Sequence, residues 1–318
     1  MRVLVTGGAG FIGSNLVSKL LDDTEVTLVR VIDNLMTGYK ENLTPFVANK
    51  KLEFIEGDIT DASVCKRIMQ NISHVSHQAA IGSVPRSIND PWLTHNNNIN
   101  GTLNILLAAK EEKVRRIVFA SSSSVYGDDM TIPKVESSIG NVLSPYALTK
   151  RTKEEYARLF SSLYEMEILG LRYFNVFGPN QSPNGPYAAV IPLFIEKLLA
   201  NVTATIHGDG EQSRDFTYVD NVVHANILAL KKDKLPHGFQ IYNTAIGGKT
   251  SVNTLYQSLA KIIGSEVKAE YVAYRKGDIK HSLADISKIQ NDLGYEPLVQ
   301  LDEGLMKTVH WFQKKYEK

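Results

Sequence analysis

The stretch Val3-Leu4-Val5-Thr6-Gly7-Gly8-Ala9-Gly10-Phe11-Ile12-Gly13 decides how this chain is read. A short β-branched run feeds three spaced glycines, and a helical pattern follows to about Leu21. A glycine-rich turn between strand and helix lets backbone approach a pyrophosphate and leaves helix amides pointing at it. The spacing Gly7-x-x-Gly10-x-x-Gly13 differs by one residue from the G-x-G-x-x-G fingerprint. An ordinary tight turn would use the same glycines, so a second observation is needed. Asp33 supplies it, 20 residues beyond Gly13, closing the apolar run Val29-Arg30-Val31-Ile32-Asp33. A carboxylate there can accept hydrogen bonds from the adenosine ribose and would repel a 2′-phosphate, which favours NAD over NADP. Asn34 follows it. Asp58-Ile59 closes the next strand, where the pair could flank an adenine or mark only a strand-end turn.

Working outward, short apolar runs alternate with amphipathic ones. Val3–Thr6, Val26–Ile32, Leu52–Ile55, Val75–His77, Ile117–Ala120 and Ile168–Arg172 read as strands. Gly10–Leu21, Asp61–Met69, Asn96–Glu112 and a segment from about Tyr146 to Tyr164 read as helices. That alternation predicts an α/β fold, a doubly wound parallel (Rossmann) sheet covered on both faces. After Arg172 the texture changes. Phe174–Tyr187 is dense in Asn, Gly and Pro and reads as loop, then Asp220–Lys231 and Ser251–Ile263 as helices around the strand Phe239–Asn243. Thr203–Ile206 and Ala269–Ser282 fit neither pattern well. The expected division is a dinucleotide domain over 1–174, with segments near 215–245 returning to it, and a smaller C-terminal domain over 175–318.

A chain of 318 residues can bury a large core. Its net charge of +1 gives no reason to expect nucleic acid or an anionic membrane as partner. Cys65 is the only cysteine, which excludes an intrachain disulfide or a cysteine-built zinc cluster and fits a reducing cytosol. The first strand starts at the first residues, leaving no room for a cleavable signal, and no apolar stretch approaches the ~20 residues a membrane span needs. A soluble, cytoplasmic protein is expected. His207, His224 and His281 show no metal spacing, and no metal is expected.

Tyr146 and Lys150 stand four apart on the helix that follows, so a phenol and an ammonium share one face. An amphipathic face alone would explain such a pair; the fingerprint upstream points to chemistry. A free phenol has a pKa of ~10 and must be tuned downward to act as a base. A positive charge ~6 Å away at an effective dielectric of ~20 is worth roughly 2.8 kcal/mol, or about two pKa units. Lys150 supplies one such charge and an oxidised nicotinamide a second.

The chain resembles the extended short-chain dehydrogenase/reductase family over nearly its whole length. The likeness rests on Thr6–Gly13, Asp58-Ile59, Gln78-Ala79-Ala80, Ser121–Gly127, Ser144-Pro145-Tyr146-Ala147-Leu148-Thr149-Lys150 and Leu171–Gly178. Within that family it looks most like bacterial UDP-N-acetylglucosamine 4-epimerases, through Gly82–Ser87 and Tyr187–Pro192. The resemblance implies NAD as a tightly held cofactor, a UDP-sugar substrate and a homodimer. It places Gln78, Ala79, Ala80, Asn98, Lys150 and Val176 at the cofactor, beside Gly7, Gly10, Phe11, Ile12, Gly13, Asp33, Asn34, Asp58, Ile59 and Tyr146. It makes Ser122, Tyr146 and Lys150 the catalytic set, Ser122 binding the reacting hydroxyl and Ser123 or Ser124 touching the sugar. Related dehydratases carry an Asp-Glu pair, and decarboxylases a Glu, where this chain has Ser123 and Ser124, so epimerisation at carbon 4 through a 4-keto sugar is implied.

On the sugar side the resemblance implicates Gly82, Ser83, Asn175, Ala189 and Val190. Arg214 and Arg275 match diphosphate-contacting arginines, and Asp278 a residue near the uridine ribose. Planar guanidinium forks suit a diphosphate, although surface arginines look the same in sequence. Ser282 matches a pocket-wall position where an aromatic would crowd an N-acetyl group; a serine there, with Gly82 and Ser83, favours acetylated hexosamines. Epimerisation of UDP-glucose/UDP-galactose or of a UDP-uronic acid would use the same catalytic residues. A silent NAD-binding regulator would have no chemical need for Ser122, Tyr146 and Lys150.

Overall fold

The computed structural model describes residues 1–183, 189–233, 235, 238–274 and 280–316. Six strands arise in the first half: β1 (Arg2–Thr6), β2 (Leu28–Asp33), β3 (Leu52–Glu56), β4 (His74–His77), β5 (Arg116–Ser122) and β6 (Glu167–Tyr173). Between them run α1 (Phe11–Asp22), α2 (Ala62–Met69), α3 (Val84–Asn89), α4 (Pro91–His95), α5 (Gly101–Glu111) and α6 (Pro145–Tyr164). The second half adds β7 (Val176–Phe177), β8 (Thr205–His207), β9 (Ser213–Arg214), β10 (Thr217–Tyr218), β11 (Phe239–Thr244), β12 (Thr250–Ser251) and β13 (Glu270–Val272). Its helices are α7 (Val190–Leu199), α8 (Val219–Lys231), α9 (Val252–Ile263), α10 (Ser287–Leu293) and α11 (Leu301–Tyr316).

Seven strands form one sheet in the order β11-β6-β5-β4-β1-β2-β3, every pair parallel. Val3, Leu4 and Val5 are wholly buried because helices cover both faces. The order reverses between β1 and β4, and a crevice outside the strand ends at such a switch point is where ligands bind in open α/β sheets. Register brings Thr6, Asp33, His77, Ser122 and Tyr173 to that edge, with Thr6 level with His77 and Ser122 level with Tyr173.

Several boundaries depart from the sequence reading. Val26 is buried, but its amide closes a turn on Asp23 O (3.2 Å), so β2 starts at Leu28. The helix expected over Asn96–Glu112 is a π-helical turn at Asn96–Asn100 running into α5. The expected loop after Phe174 contains β7, which pairs with β10, and its residues 184–187 lie outside the described ones. Helices α7, α10 and α11 are additions to the sequence reading. Helices α7 and α11 pack with α9 into a smaller layer in which Phe194 meets Tyr256 edge-on at 5.2 Å, α10 packs against β11, and β8 pairs with β13. Among the described residues no helix is long and apolar enough to cross a membrane, and no cluster of His, Cys, Asp or Glu could hold a metal.

Candidate active site

The turn from β1 into α1 can be made only by glycine. Gly7 has φ +67°, and a Cβ on it would stand 2.8 Å from Ala79 backbone. A Cβ on Gly13 would lie 2.1 Å from Gly7 O, inside any van der Waals limit. These bare positions border a cavity of about 440 Å³ that also takes in Gly10, Phe11, Ile12, Asp33 and Asn34. Ile59, Gln78, Ala79 and Ala80 continue the wall, and Gly82, Ser122, Tyr146, Lys150, Tyr173, Asn175 and Val176 close its far end. A glycine cradle at one end and a phenol at the other fit an extended dinucleotide.

Asp33 is held by the turn it faces. Its carboxylate accepts from Ala9 N and Leu35 N, each at 2.9 Å. Burial nevertheless pushes its pKa up, against those bonds. Asp58 does not line the cavity. Its carboxylate accepts from Thr60 N and Thr60 Oγ1 (both 2.8 Å) and from Asn34 Nδ2 (2.9 Å), so it orients Asn34 and the turn carrying Ile59. Burial raises its pKa, but these bonds outweigh it and hold the carboxyl below its ordinary value.

Asn98 is likewise behind the wall rather than on it. It is fully buried, accepts from Ile81 N (2.7 Å), and donates to Ile81 O (3.1 Å) and Thr149 Oγ1 (3.0 Å). With both ends of its amide engaged by protein, it ties the π-helical turn to α6 instead of meeting a cofactor. Its neighbour Asn97 lines the cavity.

Helix α6 starts where the chemistry needs it. Ser144 caps it by accepting from Ala147 N (3.1 Å), Pro145 takes the position with no amide to satisfy, and Tyr146 N donates to Ser87 Oγ (3.0 Å). Lys150 is buried one turn on, its Nζ donating to Ala120 O (2.9 Å) and standing 5.6 Å from the Tyr146 ring centre. Burial lowers the Lys150 pKa to about 8, with Glu154 pulling the other way. Glu154 itself is gripped by Arg172 through two bonds of 3.0 and 2.8 Å. Ser122 and the Tyr146 phenol line the same end of the cavity. Burial pushes that phenol above its ordinary value, and the neighbouring Ser122 hydroxyl only partly offsets it. The downward tuning expected from Lys150 does not show in the protein alone, where loss of water around the half-buried phenol is the larger effect.

A second cavity of about 170 Å³ adjoins, lined by Asn175, Val190, His207, Gln212, Arg214 and Phe216 among others. Asn175 borders both. It sits at φ +31°, and its carbonyl accepts from Thr217 N (3.2 Å), which turns the chain between the two. Arg214 donates to Ser213 O (2.9 Å) and Lys280 O (3.3 Å).

Ser83, Ser123, Ala189 and Ser282 line neither cavity. Ser83 caps α3 through Arg86 N (3.3 Å), Ser123 opens a 3-10 turn, and Ala189 is the exposed N-cap of α7. Ser282 is nearly buried, its amide donating to Ser213 O (3.1 Å). Arg275 and Asp278 lie outside the described residues. The sequence reading did not assign Tyr173, Thr37, Gln181, Gln212 or Phe216, although Tyr173 lies inside Leu171–Gly178 and Gln212 two residues before Arg214.

A parallel sheet with a glycine cradle at its switch point and a Ser-Tyr-Lys set at the end of the same cavity defines an NAD-dependent enzyme. The NAD dependent epimerase/dehydratase family model matches residues 3–245, and the chain belongs to that family. Among its relatives, a UDP-glucose 4-epimerase of Mycolicibacterium smegmatis is 38% identical over 99% of both chains. A UDP-glucuronate 4-epimerase of Thermodesulfobacterium geofontis is 37% identical, covering 99% of this chain and 97% of its own. A solved UDP-N-acetylglucosamine 4-epimerase from Methanobrevibacter ruminantium M1, in complex with UDP-N-acetylmuramic acid, superposes with TM-score 0.93. It is 40% identical over 99% of this chain and 98% of its own.

Proposed function

We propose that the protein interconverts the carbon-4 epimers of a UDP-hexose, with UDP-N-acetylglucosamine and UDP-N-acetylgalactosamine the preferred pair. The observation that carries this is the Ser122–Tyr146–Lys150 set lining the glycine-cradled cavity, with Ser123 and Ser124 where dehydration would need acids. NAD, when bound, supplies a reversible two-electron acceptor beside carbon 4. Ser122 orients the carbon-4 hydroxyl, and Tyr146 takes its proton and gives it back to the opposite configuration. Lys150, held on Ala120 O, keeps a positive charge beside the phenol while the proton is away. Gly7, Gly10 and Gly13 would hold the pyrophosphate and Asp33 the adenosine ribose. Asn175, Val190 and Arg214 would take the diphosphate and uridine side, with Ala189, Arg275 and Asp278 as further contacts on this reading.

Room for an N-acetyl group is supported by Gly82, which borders the cavity and would carry a Cβ with no atom within 4 Å. The likeness to a UDP-N-acetylglucosamine 4-epimerase points the same way. Ser282, lining neither cavity, adds little; Ser83 could act only by holding the turn after Gly82. UDP-glucose and UDP-glucuronate remain the second reading, favoured by relatives of nearly equal identity. The division into a dinucleotide domain near 1–174 and a sugar domain in 175–318 is part of the same proposal. A homodimer is supported by apolar side chains left exposed on three neighbouring helices, Trp92 on α4, Leu107 on α5, and Leu148, Leu159 and Leu163 on α6.

The test is incubation of purified protein with each UDP-sugar, without added NAD, and chromatographic separation of products. Conversion of UDP-N-acetylglucosamine at a higher kcat/KM than UDP-glucose or UDP-glucuronate is expected. Turnover confined to a non-acetylated sugar would transfer the assignment to that sugar, and no turnover of any would remove it.

A further inference from the structure

Behind the cavity, on the side away from Tyr146's helix, four side chains form a closed hydrogen-bond ring: Ser76, Gln78, Tyr173 and Asn226. Gln78 and Tyr173 line the cofactor cavity, whereas Asn226, on α8, is wholly buried behind them. The direction of every bond follows from one anchor. Val222 O can only accept, so the Asn226 atom 2.8 Å away is its amide nitrogen. The other Asn226 N–H then donates to the Tyr173 hydroxyl (2.8 Å). Asn226 Oδ1 must accept, from Gln78 Nε2 (3.0 Å) and Ser76 Oγ (3.3 Å). Gln78 spends its second N–H on Ser76 Oγ (2.8 Å), and the Tyr173 hydroxyl donates to Gln78 Oε1 (3.0 Å). Each hydrogen is used once.

We infer that Asn226 is a positioning residue for the NAD cavity, fixing Gln78 as an acceptor-only group in the wall and Tyr173 as an apolar face. With both N–H groups committed, Gln78 can offer the cavity only the remaining lone pair of its carbonyl, which suits a hydroxyl or carboxamide donor of the cofactor. Tyr173 has given its proton to Gln78 and taken one from Asn226, so its ring is what it presents. Burial pushes its pKa up to about 12, against the bonds to Asn226 and Gln78. The inference rests on NAD as cofactor and is independent of which sugar reacts.

Asn226→Leu keeps the volume and removes all four bonds. Gln78's amide is then free to turn, and one of its N–H groups or the Tyr173 hydroxyl is left short of a partner. Loss of such buried pairing corresponds to roughly tenfold to a hundredfold in affinity. The expected result is faster loss of NAD from the purified holoprotein on dialysis, by about that factor, and a rate that becomes dependent on added NAD and recovers at saturation. In a Tyr173→Phe background the same substitution should cost less than in the wild type, because one of the four bonds it breaks is already gone. Ser76→Ala, which removes two bonds at the far side of the ring, provides a milder variant if Asn226→Leu does not fold; it should also speed NAD loss. NAD release unchanged in the folded variants, or effects of Asn226→Leu and Tyr173→Phe that simply add, would overturn the inference.

Discussion

Lys150 should set the alkaline limit of the reaction. Its amine is buried with one carbonyl partner, and burial lowers its pKa to about 8. Lysine carries its charge below the pKa, so the charge is present at neutral pH and lost as pH rises through about 8. For such a group the protonated fraction falls from about nine-tenths at pH 7 to about one-tenth at pH 9. The charge matters because Nζ stands 5.6 Å from the Tyr146 ring centre. At an effective dielectric of ~20 that is worth about 3 kcal/mol to a phenolate, or roughly a hundredfold in rate. The positive nicotinamide of bound NAD would lower the Lys150 pKa further, working against the negative pyrophosphate. The assay is kcat/KM between about pH 6 and about pH 10, with circular dichroism at each pH to verify folding. An alkaline limb with its midpoint at or below about 8 is expected. In Lys150→Met that limb should vanish and the neutral-pH rate drop by roughly a hundredfold. A wild-type profile level to about pH 10, or a Lys150→Met enzyme of undiminished rate, would refute the reasoning.

Three further outcomes follow from the geometry. Tyr146→Phe should fold and keep NAD, since the ring stays, while the rate falls by about 10²–10⁴-fold in a standard epimerisation assay. Gly13→Ala puts a methyl 2.1 Å from Gly7 O, so the cradle must open, and the NAD content of purified protein should fall by about tenfold or more. Gly82→Val fills the open space beside Gly82 and should lower kcat/KM on UDP-N-acetylglucosamine about tenfold more than on UDP-glucose; equal losses would deny that the acetyl group lies there.

The parts legible in the sequence were those whose physics is local. Gly7 and Gly13 are required by contacts within one turn, and Asp33 by its place at a strand end. The Tyr146/Lys150 pair shares a helix face, so spacing alone brings the groups together. What sequence could not supply depends on partners far along the chain. Asp58 and Asn98 were legible as neighbours of the cofactor site, but not the bonds that hold them, which come from Asn34, Ile81 and Thr149 far along the chain. Asn226 reaches Ser76 across 150 positions, and nothing near it hints at a ligand. Ser282 is a position that matching alone could not describe: its backbone amide is tied to Ser213 O, a residue far along the chain. Helix α7 was missed because Pro192 breaks the pattern by eye, although proline in a first turn costs nothing.

The central claim is that the hydrogen on carbon 4 leaves and returns within the protein, without passing through water. The direct measurement is turnover of UDP-N-acetylglucosamine in heavy water with no added NAD, followed by mass and NMR analysis of the epimer at carbon 4. Product with its original carbon-bound hydrogen and no deuterium at that position is the result this account predicts. Deuterium at carbon 4 of the epimer would contradict it, because the hydrogen would then have been exchanged as a proton with solvent.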